Sequence, residues 1–186
     1  MTYQTITFAA HREYDNQHFV TLALRNMIKD AINNGTTKFI MGGARGGDQR
    51  AAWLVNEQRY ALGAHVELVY AKPFASHGAQ WQPTLWRSWL DFVAQHVDKT
   101  HIVTDTTEQA RHAPSFTQMY HARNRWMVDN AQAVVAVLDN RQHGGTFATV
   151  RYAKQQGLPV YRINPVAMSA GWEVAQAARQ MTLGGM

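Results

Sequence analysis

Two glycine-rich stretches and one out-of-place arginine have the residue types and spacing to do chemistry. The stretch "GGARGGDQ" (42–49) places Gly42, Gly43, Gly46 and Gly47 within six positions. Glycine tolerates positive φ and lets main-chain N–H groups come close to a ligand. Where such a loop runs into a helix, the helix N-terminus adds partial positive charge suited to phosphate. The spacing matches neither the GxGxxG dinucleotide fingerprint nor the P-loop. The alternative is a tight turn with close helix packing. Arg45 is in position to reach a phosphate, while Asp48 either caps the helix or accepts from a ribose hydroxyl. In "HGGT" (143–146), Gly144 and Gly145 expose main-chain donors. Thr146 is expected to cap the helix that follows and to offer its hydroxyl. A phosphate held against both loops would account for both.

The arginine is Arg123. Helical spacing puts Met119, Arg123, Trp126, Met127 and Asn130 on one face, so a guanidinium interrupts an apolar stripe. Burying an unpaired charge is costly. Arg123 therefore meets a carboxylate, with Asp139 or Asp129 as the internal candidates, or carbonyls, or an anionic ligand. Arg125 points elsewhere, with Asp129 one turn on as a surface partner. His11 and Arg12 follow the first strand and are candidates to bind the same anion, although a structural histidine explains His11 as well. Trp81 is a candidate to stack on an adenine or ribose, whereas Trp86 and Trp89 suit a core or a dimer face. The nine histidines show no metal-ligand spacing, so neither a metal nor a resident cofactor is expected.

The elements that position these residues alternate along the chain. Strands are predicted at 5–10, 38–41, 65–71, 100–104, 133–139 and 158–164. Between them lie helical patterns, with a tryptophan-rich one after Trp81, one over 116–130 and a closing one over 170–181. Residues 105–115 read as a polar stretch. This alternation predicts an α/β chain: a Rossmann-like three-layer sandwich with a mostly parallel sheet and helices on both faces. One domain over 1–186 suits the length. In such sheets a ligand sits beyond the carboxyl ends of the strands, which is where "AAHREYDN", "GGARGGDQ" and "DNRQHGGT" fall.

Composition narrows the function classes. With no cysteine, disulfides and thiolate chemistry are excluded. No apolar run reaches the ~18 residues of a membrane span, and the N-terminus lacks a signal-peptide pattern, so a cytoplasmic protein without membrane contact is expected. Eighteen Lys and Arg against thirteen Asp and Glu give +5. The basic residues are dispersed, which suits an anionic small molecule better than a nucleic-acid track.

The segments "ITFAAHR", "GGARGGDQRAA", "KPF" with "QW" shortly after, "YHARNRWMVDNAQAVVAVLD" and "GGTFATVRYAKQQGLPVYRINP" together resemble the YpsA-like branch of the SLOG superfamily, over roughly residues 5–165. The resemblance implies a Rossmann-like fold and a site for nucleotide-type ligands. It also implies a distant relation to the LOG phosphoribohydrolases, to the DNA-processing protein DprA and to sensor domains that bind NAD-derived signals. In the LOG pattern, "ARNRWM" supplies Arg123 at the catalytic arginine's place and Met127 at the methionine's. Gly145 and Thr146 match its "GT". Thr149 stands where that family has its catalytic glutamate. Glycosidic cleavage needs a carboxylate to support an oxocarbenium-like transition state, and threonine supplies none. Asp139, Asp48, Asp15 or Glu13 would have to replace it from another loop.

The reading that follows is a binding protein for a nucleotide or NAD-derived molecule such as ADP-ribose, acting as sensor or sponge. The runner-up is a nucleotide N-glycosidase or phosphoribohydrolase, and the third is DNA binding in the style of DprA. Apolar surface on the tryptophan helix suggests a homodimer.

Overall fold

The computed structural model describes residues 2–79, 81–104 and 115–173. The chain runs β1 (Thr5–Ala10), α1 (Gln17–Asn33), β2 (Lys38–Met41), α2 (Gly47–Ala61), β3 (Glu67–Lys72), α3 (Pro83–His96), β4 (Lys99–Ile102) and α4 (Phe116–Asp129). It continues with β5 (Ala133–Val137), α5 (Gly144–Gln155), β6 (Val160–Asn164) and β7 (Ser169–Trp172). All seven strands join one sheet in the order β4-β3-β2-β1-β5-β6-β7. Strands β1 to β6 pair in parallel, and only β7 runs antiparallel, against β6.

Strand alternation builds two cores, one on each face. Ile6 and Phe8, with Phe39, Met41, Leu68, Val135 and Val137, face α1, α2 and α3. Helix α1 meets them with Val20, Leu24, Met27, Ile28 and Ala31, a stripe at helical spacing. Ala9, Val134 and Ala136 face the opposite way, onto Val128 of α4 and Val150 and Ala153 of α5. Further along that face, Ile40, Val69 and Ala71 pack on Met127 of α4. Strand β5, "AVVAV", is buried at every position, as a central parallel strand between two helical layers must be.

The winding explains where a site can form. From β1 the chain steps outward through β2, β3 and β4 on one side. It then returns through α4 to β5 on the other side of β1. Right-handed crossovers force the two sets of helices onto opposite faces, leaving a crevice where the direction reverses. That point is between β1 and β5.

The chain departs from the predicted pattern at the closing helix. Residues 169–172 form β7, with Tyr161 opposite Trp172 and Asn164 opposite Ser169. The Asn164 side chain accepts from the N–H groups of Val166 and Ala167, and Met168 takes φ 48°, which turns the chain back on itself. Trp172 then packs tilted against Tyr3 and edge-on to Tyr161, with ring centroids 5.1 and 5.3 Å away. Pairing the open β6 edge outweighs the local helical pattern. The rest of the expected helix, from residue 174, and the polar stretch at 105–114 lie outside the described residues.

Candidate functional site

At the β1/β5 reversal a cavity of about 350 Å³ opens beyond the end of β1. Its floor is Phe8 to Arg12, and Ala44 and Asp48 close one side. Thr117, Tyr120, His121, Arg123 and Asn124 of α4 form the roof, and Gly145, Thr146 and Thr149 of α5 the far wall.

Arg123 is 4% exposed. Its Nη1 donates to the Gly42 carbonyl, its Nε donates to Asn124 Oδ1 at 2.8 Å, and its guanidinium lies over the Tyr120 ring, 5.8 Å from the centroid. Neither acid expected from the sequence holds it. Asp139 is occupied by Arg141 at 2.7 Å, and Asp129 accepts from Tyr152. The charge that faces Arg123 is Asp48, from the start of α2. A Cβ on Gly42 would overlap the guanidinium and lie 2.9 Å from Asp48 Oδ2, so both groups crowd the one point that this glycine leaves empty.

Asp48 is itself buried, at 5% exposure. Burial pushes its carboxyl up to about 6, against the opposing pull of Arg123 and of hydrogen bonds from the Ala44 and Ala10 main chain. A carboxyl raised in the fold stabilises it fully below the ordinary value of 3.8 and ceases to do so as pH rises through 6. Compared with Asp48→Asn, which cannot ionise, the wild type should therefore lose ground by roughly 2 kcal/mol between pH 4 and pH 8. Urea unfolding of both proteins at the two pH values checks this; a constant difference would mean that Asp48 ionises as freely as in the unfolded chain.

The start of α5 is bare. Its N-cap is His143, which gives no side-chain cap, so the first-turn N–H groups are open to an anion. Thr146 is not the expected cap but lies inside the first turn, because Gly144, at φ 90°, lets the helix begin earlier. Asp48 likewise sits within the first turn of α2, whose N-cap is Gly46. The Thr149 hydroxyl donates back to the Gly145 carbonyl at 2.8 Å, so it is already engaged by its own helix. Across the cavity, burial lowers the His11 pKa and keeps the ring neutral. Its Nε2 is 3.5 Å from Asp139 Oδ1 and has no hydrogen-bond partner among the described residues. Arg12 beside it is exposed at the mouth.

Of the residues singled out by sequence, His11, Arg12, Asp48, Arg123, Gly145 and Thr146 meet around one cavity. Most of the 42–47 glycines have packing partners instead. A Cβ on Gly43 would press on Tyr70 and Trp89, one on Gly46 would strike the Arg12 carbonyl, and one on Gly47 would strike Ala10. These glycines let the β1 and β2 ends approach and give Arg123 its carbonyl, so they shape a cavity that Ala44 and Asp48 of the same loop line. Gly144 is exposed, and Arg45 points to solvent outside the lining. Trp81 packs edge-on to His77 and Trp86, with centroids 5.3 and 5.7 Å away, and is absent from the lining. Sequence reading missed Thr117, Tyr120, His121 and Asn124. They form a polar stripe at helical spacing beside the apolar one on α4, and that spacing was the available signal.

Among the described residues no cluster of three or more His, Asp or Glu could hold a metal, and no helix is long and apolar enough to cross a membrane.

Comparisons with known proteins agree with this fold. The chain is 28% identical over 133 residues to the uncharacterized SPbeta prophage-derived protein YoqJ of Bacillus subtilis (strain 168), covering 69% of this chain and 77% of that protein. Its fold superposes with a TM-score of 0.56, at 18% identity, on DNA processing protein A from Helicobacter pylori, a structure described for its single-stranded DNA binding mode. That match covers 87% of this chain but only 65% of the longer protein, and it is a likeness of fold alone. The model of the YspA SLOG family matches residues 3–169. On that match, which spans strands β1 to β6 and every wall of the cavity, the chain belongs to the YspA SLOG family.

Proposed function

We propose that the chain binds a phosphorylated, nucleotide-type small molecule, of the class that includes NAD-derived signals, and serves as its sensor or sponge. The phosphate rests on the first turn of α5 at Gly145 and Thr146, with Arg123 as its cation. His11, Arg12 and Asp48 take the ribose and the rest of the headgroup. One observation carries the reading: a guanidinium 4% exposed, faced by Asp48 but in ion-pair contact with no carboxylate among the described residues, lines a cavity that the uncapped start of a helix also enters. Exposed Trp53, Leu85 and Leu90 support a homodimer through α2 and α3, which light scattering checks.

A second reading has its own support. Asp48 is a buried carboxyl in the same cavity, titrating near neutrality, and it is the acid that an N-glycosidase or phosphoribohydrolase would need in place of Thr149. Incubation with AMP, NAD, ADP-ribose or cyclic ADP-ribose, followed by mass spectrometry and thermal melting, separates the two. At ligand concentrations about 100-fold above Kd, binding without turnover should raise Tm by roughly 5–10 °C. Turnover abolished by Asp48→Asn would establish the enzyme instead. Retention on single-stranded DNA at physiological salt, with no response to nucleotides, would place this chain with the DNA-binding neighbour.

A further inference from the structure

The cavity adjoins a second space on its α4–α5 side. A groove of about 470 Å³ runs between these two helices, and His121, Asn124 and Thr149 line both spaces. We propose that this groove is a second subsite, so that the ligand has two anionic halves, the chemistry of a nucleoside diphosphate derivative. This rests on the phosphate reading of the cavity and extends it.

The side chains common to the two spaces, His121, Asn124 and Thr149, carry no negative charge. Opposite Asn124 stands Gly145, where an added Cβ would lie 3.8 Å from Asn124 Nδ2, in van der Waals contact, so only glycine leaves that space free. Thr149, its hydroxyl turned back to the Gly145 carbonyl, presents no carboxylate to repel a phosphate chain. Beyond these shared residues the groove is basic. Arg125 lies over the Tyr152 ring, 5.6 Å from its centroid, rather than pairing with Asp129 as its spacing suggests. Asp129 instead accepts from the Tyr152 hydroxyl at 2.8 Å, which fixes the ring on which Arg125 rests. Arg151 follows on α5, and neither arginine forms an ion pair with a carboxylate among the described residues. A guanidinium resting over an aromatic ring keeps N–H groups free for phosphate oxygens. Taken alone, the cavity sits near the lower end of the ~300–1,000 Å³ range of small-molecule sites, and the groove extends it well into that range.

Calorimetric titration with AMP and with ADP-ribose tests the subsite. Both arginines are exposed, so the Arg125→Ala, Arg151→Ala double variant is expected to fold, which circular dichroism verifies. It should weaken ADP-ribose about ten-fold or more while leaving AMP within about two-fold, as loss of charge-assisted contacts to the second half alone requires. An unchanged ratio of the two affinities, an equal loss for both, or wild type that binds AMP but not ADP-ribose would each overturn the subsite and leave the cavity reading standing. A change of molecular mass in light scattering would assign the groove to a subunit contact and overturn it too. Wild type that binds neither nucleotide would remove both readings.

Discussion

Arg123→Met is expected to abolish nucleotide binding and to cost the ligand-free protein about 3–5 kcal/mol at pH 7.5, the usual penalty for breaking a buried charge arrangement. Methionine fills the volume on α4 but leaves the Gly42 carbonyl without its donor and the Asp48 carboxyl without its opposing charge. The cost should shrink on acidification, because Asp48 then protonates and no uncompensated charge is buried. Adding Asp48→Asn to Arg123→Met should therefore restore most of the stability near neutral pH without restoring binding. Urea unfolding and AMP titration on the wild type, the single variants and the double variant measure both quantities. A double variant that is stable and still binds AMP would show Arg123 to be structural only.

Gly42→Ala should produce nearly as large a loss by a different route. The new methyl group would occupy the space of the guanidinium and approach Asp48 Oδ2. A surface arginine would swing aside at little cost, but Arg123 is pinned by the Gly42 carbonyl, Asn124 and Tyr120. Displacing it costs about 2–4 kcal/mol, in the range of overpacking combined with a disturbed buried charge. Such a variant should also lose its ligand, since the phosphate cation has moved. The mechanism has a signature: in the Arg123→Met background, where a flexible thioether replaces the rigid fork, Gly42→Ala should cost far less. Strictly additive costs in that double-mutant cycle would mean that Gly42 acts through its backbone alone.

The sheet was legible in the sequence because its signals are local. Strand β1 and helix α1 end where β-branched runs, the apolar stripe and the Asn33-Asn34-Gly35 stop place them. Strand β7 was not, since Ser169–Trp172 has no strand signal of its own and is made a strand by the unpaired edge of β6. The same division holds at the site. Arg123 stood out because a charge in an apolar stripe is anomalous on any helix. Its true neighbour Asp48 did not, because 75 residues separate them and only the crossing of α4 over the β2 end brings them together. The glycines of 42–47 show the limit most plainly. Their abundance marked the loop, yet whether glycine serves a ligand or a neighbouring carbonyl is decided by contacts to Arg12, Tyr70 and Trp89 that no spacing encodes.

The phosphate seat on α5 can be observed directly. In a titration of the 15N-labelled protein with AMP, the main-chain amides of Gly145 and Thr146 and the Nε–H of Arg123 should move together, saturably and with one Kd. If millimolar AMP leaves those three resonances in place, or shifts only residues outside the β1/β5 crevice, no phosphate sits there and the proposed function is wrong.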